Sequence, residues 1–289
     1  MTMDVITKRL PGSDGLMLSV EVSGPQQGLP VMLAHGGGQT KRAWRKTAEA
    51  LAEAGFQAIA VDLRGHGNSD WAPADGYDVG HMAADLLAIA DTLDQKPAMV
   101  GASLGGLSGL VAEGEVRPGS FRSLTLVDVT PNMSPAGVDR IVGFMLRHMD
   151  QGFATLDEAA DAIAGYTENR ERRGSSEGLS HYLRLGGDGR YRWHWDPAFL
   201  GNAQERRDNN GLQDARLELA ARALTLPVHL VRGAKSDLVT VDAARAFLQF
   251  VPHARFDDIA GAGHMVVGDK NDIFSAVILD FLNGLRAET

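Results

Sequence analysis

One serine lies in a glycine-flanked motif that is typical of a catalytic nucleophile. The motif is Gly101-Ala102-Ser103-Leu104-Gly105, which matches the pattern G-x-S-x-G. It stands where an apolar run that predicts a buried strand ends and where helical spacing begins. A serine on such a sharp turn is held in a strained backbone conformation that exposes its hydroxyl. Ser103 is therefore the candidate nucleophile, and an inert serine in a glycine-rich turn is the alternative.

A serine hydroxyl needs a base before it can act as a nucleophile, and we assign this role to His264. His264 lies in Gly261-Ala262-Gly263-His264-Met265, after the last predicted strand and before the last predicted helix. The small residues around it allow the imidazole ring to reach toward Ser103. Of the nine histidines, His35 and His66 lie in loops, where we expect them to orient the backbone.

An imidazole base needs a carboxylate that fixes its tautomer and stabilises its charged form. We assign this role to Asp237, in the loop Gly233-Ala234-Lys235-Ser236-Asp237 that follows a predicted strand. This loop should lie at the same edge of the sheet as Ser103. The rival acid is Asp128, which ends another predicted strand. Its alternative role is to anchor the start of the segment that follows.

Acyl transfer also requires N–H donors for the negative oxygen that develops on the carbonyl group. The backbone N–H of Leu104, at the start of the helix beside Ser103, is one candidate donor. The second should come from the loop His35-Gly36-Gly37-Gly38-Gln39, which follows an early strand. A run of glycines can aim N–H groups without obstruction from Cβ atoms. The alternative interpretation of this loop is an ordinary flexible turn.

Alternating strands and helices position these residues. Short apolar runs alternate with segments of helical spacing in the first half of the chain and again near its end. This order predicts βαβ units, and hence a mostly parallel sheet flanked by helices. The predicted strands are 16–23, 31–34, 56–61, 97–103, 122–129, 227–233 and 254–259, and the predicted helices are 42–54, 79–93, 103–113, 241–250 and 271–285.

A long segment interrupts this alternation. From Pro131 to about residue 222 no buried strand is evident, and helical segments at 137–150, 155–165 and 214–224 dominate. Short connections are the rule within a compact α/β core, so a segment of this length indicates an inserted unit. We predict a core formed by residues 1–131 and 223–289, split by a helical cap of residues 132–222.

Composition disfavours several classes of function. The 289 residues include 28 Lys and Arg against 37 Asp and Glu, a net charge of −9. We therefore expect no nucleic acid and no membrane surface as a partner. The absence of cysteine excludes disulfides, thiolate metal sites and cysteine nucleophiles. No metal-binding motif, signal peptide or transmembrane run is evident, so the expectation is a cytoplasmic protein without a metal.

The chain resembles the α/β-hydrolase superfamily over essentially its whole length. The order Ser103, Asp237, His264 is the order of nucleophile, acid and base in that superfamily. The segment Asp62-Leu63-Arg64-Gly65-His66-Gly67-Asn68-Ser69-Asp70 is similar to its D-x-R-G-x-G-x-S segment. The resemblance implies an α/β-hydrolase fold, with a mostly parallel central sheet and a helical cap inserted after the sixth strand. It also implies that the chemistry needs no cofactor and no metal.

The resemblance further implies which N–H groups hold the oxyanion. They would be those of Leu104 and Gly37, with Gly36 as a further candidate, because the His-Gly-Gly-Gly string is similar to that of carboxylesterases with a triple-glycine oxyanion hole. The layout is similar to that of capped epoxide hydrolases, haloalkane dehalogenases and cofactor-free haloperoxidases. The first two families use an aspartate nucleophile, whereas this chain has Ser103.

Four residues are candidates for contact with a substrate. Trp44, beyond the glycine loop, and Met265, beside His264, are placed by sequence to contact a ligand. Phe144 and Trp193 are candidates from the cap, which shapes the pocket in the superfamily; their alternative role is to pack the cap on the core. A largely apolar pocket would favour uncharged or hydrophobic acyl groups.

These residues predict a serine hydrolase that cleaves a small-molecule carboxylic ester through an acyl-enzyme. A C–C bond hydrolase, a lactonase or a thioesterase could use the same triad. Perhydrolysis, measured as cofactor-free haloperoxidase activity, would need only peroxide in place of water. A ligand-binding receptor with slow catalysis is the alternative from a different class.

Overall fold

The centre of the molecule is an eight-stranded, mostly parallel sheet. A computed structural model describes residues 4–166, 179, 181–201, 210–264 and 271–287. The described strands are β1 (Ile6–Pro11), β2 (Met17–Ser23), β3 (Pro30–Ala34), β4 (Gln57–Val61), β5 (Ala98–Ala102), β6 (Ser123–Val127), β7 (Leu183–Leu185), β8 (Tyr191–Trp193), β9 (Val228–Gly233) and β10 (Arg255–Ile259).

The strand order in the main sheet is β1-β2-β4-β3-β5-β6-β9-β10. β2 pairs antiparallel with β1 and with β4, and the other neighbouring strands pair parallel. Every residue of β3, β5, β6 and β9 is buried. Parallel strands covered on both faces read as continuous apolar runs, which is why the sequence predicts them well. The edge strand β1 is largely exposed and lacks such a run.

Helices cover both faces of this sheet, as the alternation predicts. The described helices are α1 (Arg45–Glu53), α2 (Val79–Ala90), α3 (Leu104–Val111), α4 (Pro135–Arg147), α5 (Leu156–Tyr166), α6 (Ala198–Gly201), α7 (Asn210–Arg222), α8 (Val241–Phe250) and α9 (Ser275–Ala287). The core accordingly forms two apolar clusters. One includes Leu51 and Ile278, from α1 and α9, and the other includes Met82 and Leu110, from α2 and α3. None of the helices in the described ranges combines the length and apolar character of a membrane span.

Between β6 and β9 the chain leaves the sheet, and we call this part the cap. It contains helices α4 to α7 and also a feature that the sequence does not predict, the antiparallel hairpin of β7 and β8. These strands have three residues each, too few for a period-two pattern to stand out.

The cap is docked on loops at the carboxyl edge of the sheet. The N–H of Asp196 donates to the carbonyl of Gly65 at 2.9 Å, and the hydroxyl of Tyr77 donates to the carboxylate of Asp196 at 2.5 Å. On the other side, the N–H of Ser134 donates to the carbonyl of Leu238 at 2.9 Å. These contacts place the cap beside the strand ends that carry the candidate site.

Candidate active site

Ser103 occupies the turn between β5 and α3. Its φ of +46° and ψ of −117° form a conformation that non-glycine residues rarely adopt and that costs free energy. The flanking glycines are required because the turn is crowded. A Cβ on Gly101 would lie 2.4 Å from the nitrogen of Gly106, and one on Gly105 would lie 2.6 Å from the oxygen of Ala34. The strained turn that the motif predicts is present.

His264 forms a close pair with Asp128. Its Nδ1 lies 2.7 Å from Oδ2 of Asp128, and the two side chains are only 6% and 3% exposed. Because the carboxylate accepts, Nδ1 carries the proton and Nε2 keeps its lone pair. This is the tautomer that a general base for a serine hydroxyl requires.

The carboxylate of Asp128 is held by two further donors. Oδ1 accepts from the N–H of Gly233 at 3.0 Å, and Oδ2 accepts from the hydroxyl of Ser236 at 2.8 Å. Asp128 also has a positive φ, of +51°. It follows β6, which pairs directly with β5, so the strained residues Ser103 and Asp128 lie at neighbouring strand ends. Strain of this kind is concentrated at functional sites.

The expected pair between Asp237 and His264 is not formed, and this prediction is wrong. A carboxylate oxygen of Asp237 lies 3.2 Å from Nη1 of Arg140 in α4, and the side chains are 36% and 46% exposed. Ser236, one residue earlier, directs its hydroxyl at Asp128 instead. The loop after β9 thus supplies a donor to Asp128, and Asp128 occupies the position beside His264.

Ser103, Asp128 and His264 line one cavity at the carboxyl ends of the strands. The same cavity is bounded by Gly36, Gln39, Ala102, Val127, Asn271 and Phe274. The three reactive groups follow β5, β6 and β10, so chain segments that are far apart in sequence meet here. A hydroxyl, an imidazole and a buried carboxylate in one cavity are the groups that nucleophilic acyl transfer requires.

Two backbone N–H groups are free to bind an oxyanion. In the described part of the chain, the N–H groups of Gly37 and Leu104 donate no hydrogen bond, whereas those of Gly38 and Gly105 are bonded. Leu104 begins α3, where N–H groups lack partners within the helix and the helix dipole favours negative charge. The assignment of Gly37 and Leu104 as oxyanion donors stays a prediction.

Gly36, the third predicted donor, is excluded because its N–H is occupied. It donates to Oε1 of Gln39 at 3.0 Å, and Nδ2 of Asn271 donates to the same oxygen at 3.3 Å. Gln39 and Asn271 are fully buried. Sequence reasoning missed both, although the position of Gln39 at the end of the glycine run was a usable signal.

The predicted substrate contacts have mixed outcomes. Trp44 does not line the cavity; it is fully buried in the core cluster that contains Leu51 and Phe274, so this prediction is wrong. Phe144 and Trp193 lie in an aromatic cluster of the cap, with ring centroids 5.9 Å apart, which agrees with the packing alternative. Met265 lies outside the described residues.

Phe199 is a cap residue that the sequence did not single out. A Cβ built on Gly37 would lie 3.4 Å from Cζ of Phe199 and 3.8 Å from Cδ2 of Leu104. Its ring also packs edge-on against His66, at 4.7 Å between centroids. Phe199 is thus a cap side chain beside the glycine loop of residues 35–39, and no local pattern in the sequence marks it.

His35 and His66 orient the backbone, as predicted. Nδ1 of His35 donates to the carbonyl of Gly36 at 2.8 Å, and its Nε2 accepts from the N–H of Leu63 at 3.1 Å. Nε2 of His66 accepts from the N–H of Gly38 at 3.1 Å. Burial lowers the pKa of both imidazoles, that of His66 well below its ordinary value. Both nitrogens of each ring are thus engaged with backbone groups.

No group of three or more potential metal ligands is close enough to hold a metal ion in the described ranges.

Known proteins that are similar to this chain indicate the family to which it belongs. Residues 30–271 match the model of a family described as alpha/beta hydrolase fold. A non-heme chloroperoxidase of Streptomyces lividans is 26% identical over 93% of this chain and 97% of its own length. An esterase of Mycobacterium tuberculosis is 28% identical over 83% of this chain and 78% of its own length.

A solved structure extends this similarity to the whole chain. The crystal structure of E-2-(acetamidomethylene)succinate hydrolase superimposes with a TM-score of 0.81 at 25% sequence identity. The match covers 97% of this chain and 100% of the other. The similarity thus extends through the cap as well as the sheet.

Proposed function

Because the chain belongs to the α/β-hydrolase fold family, we propose that it is a serine hydrolase that cleaves carboxylic esters of small molecules through an acyl-enzyme. The observation that carries this proposal is the buried His264–Asp128 pair in the cavity that the strained Ser103 also lines. Two unoccupied N–H groups beside Ser103 add the electrostatic part of such a site.

In the first half of the reaction, Oγ of Ser103 attacks the ester carbonyl carbon. Nε2 of His264 takes the hydroxyl proton, and Asp128 stabilises the imidazolium that forms. The negative charge on the carbonyl oxygen is bound by the N–H groups of Leu104 and Gly37. The tetrahedral intermediate then expels the alcohol, which receives the proton from His264 and leaves an ester on Ser103.

In the second half, water replaces the alcohol. His264 takes a proton from the water as the oxygen attacks the acyl carbon, and the same N–H groups bind the second oxyanion. Collapse of this intermediate returns the proton to Oγ of Ser103 and releases the carboxylic acid. The residues of the site thus serve both halves of the reaction, with no further reactant than water.

The test is turnover of p-nitrophenyl esters of increasing acyl length, with wild type beside Ser103→Ala. We expect turnover by the wild type and its loss in the variant, with the circular dichroism spectrum unchanged. Labelling of Ser103 by a fluorophosphonate, detected by mass spectrometry, reports the nucleophile independently of the ester chosen. An unlabelled Ser103 together with no ester turnover would reject the proposal.

Perhydrolysis is a second candidate because a relative that matches 93% of this chain is named a non-heme chloroperoxidase. Hydrogen peroxide would replace water in the second half of the reaction, and a peracid would be released. Monochlorodimedone halogenation with peroxide and acetate, in wild type and Ser103→Ala, measures this activity. Halogenation that persists without Ser103 would show that it is not a reaction of this site.

A further inference from the structure

The oxyanion loop, residues 35–39, is held partly by its own hydrogen bonds and partly by contacts with the rest of the molecule. Within the loop, the N–H of Gln39 donates to the carbonyl of Gly36 at 3.1 Å, and the N–H of Gly36 donates to Oε1 of Gln39 at 3.0 Å. Three consecutive glycines, Gly36 to Gly38, have no side chains to restrict the backbone, and glycine loses more conformational freedom on ordering than other residues. An oxyanion donor is effective only if its N–H is already aimed at the charge. The question is therefore which groups fix the peptide planes around Gly37.

Two histidines of the core hold the first two of these peptide planes, Gly36–Gly37 and Gly37–Gly38. His35 Nδ1 donates to the carbonyl of Gly36 at 2.8 Å. In a trans peptide the carbonyl and the next N–H point in opposite directions, so this bond sets the direction of the Gly37 N–H. His66 accepts from the N–H of Gly38 at 3.1 Å and so holds the second plane.

His194, a residue of the cap, holds the third peptide plane, Gly38–Gln39. Its Nε2 lies 3.2 Å from the carbonyl oxygen of Gly38 and donates to it. Its Nδ1 accepts from the N–H of Gly67 at 2.8 Å, in a core loop. Three imidazoles thus hold three consecutive peptide planes, one each. The rings lie near one another, with centroids 5.2 Å apart for His35 and His66 and 5.8 Å for His66 and His194.

Each of these imidazoles can make its hydrogen bonds to the backbone only in its neutral form. One ring nitrogen of each accepts from a backbone N–H, and a proton on that nitrogen would place two donors against each other. Burial lowers the pKa of all three, and that of His194 to about 3. Asp62 opposes this shift at His194, whereas His35 and Arg184 add to it. The contacts therefore persist at neutral pH.

We propose that His194 is a positioning residue through which the cap completes the oxyanion hole, by holding the Gly38 carbonyl so that the Gly37 N–H stays aimed at the reacting oxygen. The inference rests on the proposed function for its effect on rate. It gives the cap a part in the chemical step, in addition to any part in binding. His194 is not among the residues that line the cavity with Ser103 and His264, so its effect passes through the loop.

The test uses variants that separate the two hydrogen bonds of His194. In His194→Gln the amide nitrogen stands near the place of Nε2 and can still donate to Gly38. In His194→Asn the shorter side chain can satisfy only the Gly67 N–H, near the place of Nδ1. His194→Phe keeps a ring of similar size and makes neither bond.

We expect kcat for a p-nitrophenyl ester to fall by about 10- to 100-fold in the Asn and Phe variants, which is less than the 10²–10³-fold typical of losing a donor outright. The Gln variant should stay within about threefold of wild type, and KM should change little in all three. The matched control is Arg184→Gln, which removes a cap hydrogen bond to the carbonyl of Gly67 and should leave kcat unchanged.

Hydrogen–deuterium exchange of a peptide that covers residues 35–40 provides a readout without turnover. Exchange should accelerate in the Asn and Phe variants but not in the Gln or Arg184→Gln variants. Equal loss of activity in the Gln and Asn variants, or an unchanged kcat in all, would overturn the proposal. If the wild type hydrolyses no ester and Ser103 is not labelled, the proposed function fails. The exchange pattern then decides by itself whether His194 orders the loop.

Discussion

Asp128 combines strain, burial and full hydrogen bonding at one residue. Its carboxylate accepts from the imidazole of His264, the N–H of Gly233 and the hydroxyl of Ser236. A buried carboxylate is stable as an anion only when donors replace the water that it has lost. Three donors meet this condition, and such a fully hydrogen-bonded carboxylate is what the proposed acid partner of His264 requires.

Replacing this carboxylate tests which aspartate is the acid. In Asp128→Asn the amide presents an N–H that favours the wrong tautomer of His264, so we expect kcat for a p-nitrophenyl ester to fall by about 10³–10⁴-fold. Asp237→Asn should change kcat by less than about threefold, because it removes only an exposed ion pair with Arg140. The reverse order of effects would restore Asp237 as the acid.

Ser236 should tune the acid without touching the substrate. Ser236→Ala removes one donor to Asp128 and the acceptor for the N–H groups of Leu238 and Val239, so the carboxylate is held less precisely and kcat/KM should fall by about tenfold. A less stabilised anion also accepts more strongly from His264, so the acid limb of the pH–rate profile should move to higher pH. Ser236→Thr keeps the hydroxyl and should restore both. A profile that keeps its shape in the Ala variant would leave Ser236 with a merely structural role.

At the scale of elements, close packing of α3 against the sheet sets the nucleophile in place. Gly101 lies near the end of β5 and Gly105 lies in the first turn of α3. A Cβ on either glycine would meet backbone atoms that no side-chain movement can displace. The strained φ of Ser103 persists because these contacts determine the turn from both sides. The G-x-S-x-G pattern is therefore a packing requirement as well as a chemical signal.

An alanine in the first turn of α3 tests this requirement. A Cβ on Gly105 would lie 2.6 Å from the carbonyl oxygen of Ala34, so Gly105→Ala should lower the free energy of unfolding by about 1–3 kcal/mol. The matched control is Gly143→Ala in α4, where a Cβ has no neighbour within 4 Å. A helical alanine without a clash should raise stability by up to about 1 kcal/mol. Urea denaturation measures both, and equal effects would contradict the packing argument.

At the scale of the whole molecule, several histidines are buried in their neutral form. Burial is the largest cause that lowers the pKa of His35, His66, His194 and His229, to about 3 for His194 and about 4 for His229. In the unfolded chain such rings bind protons below about pH 6.5. The unfolded state therefore binds more protons, and stability that is fully present above pH 6.5 is lost as the pH falls toward the folded values.

His229 offers a test of this linkage away from the candidate site. Its Nε2 bonds to Asp257 at 2.8 Å, and Asp257 and Asp280 raise its pKa whereas Arg255 lowers it, but burial outweighs them. If the His229 ring stays neutral in the folded protein, the free energy of unfolding should fall by about 2 kcal/mol as the pH is lowered from 7 to 5. Urea denaturation at pH 7 and at pH 5 measures the free energy of unfolding at each pH. The difference between the two should be smaller in His229→Gln than in wild type by about that amount. An unchanged difference would show that His229 is protonated in the folded protein.

The sequence predicts the elements around Ser103 well because its signals there are local. Short, mainly apolar runs mark β3, β5, β6 and β9, and the glycine spacing marks the turn. His264 is also accessible to this reasoning, since small residues surround it at a strand end. Trp44 shows what such local signals cannot predict. Its position a few residues after the glycine loop does not reveal that its indole packs in the core.

The sequence alone determined the class of fold and singled out the candidate nucleophile and base, because strand periodicity, turn chemistry and residue order are properties of neighbouring residues. Tertiary structure decided which aspartate pairs with His264 and which cap residue contacts the glycine loop. Asp128 and Asp237 both follow strands that end at the same edge of the sheet, so their sequence positions are nearly equivalent. Only the packed structure turns Asp128 toward His264 and Asp237 toward Arg140. His194 reaches Gly38 across 156 residues of chain, a distance over which no local pattern carries information.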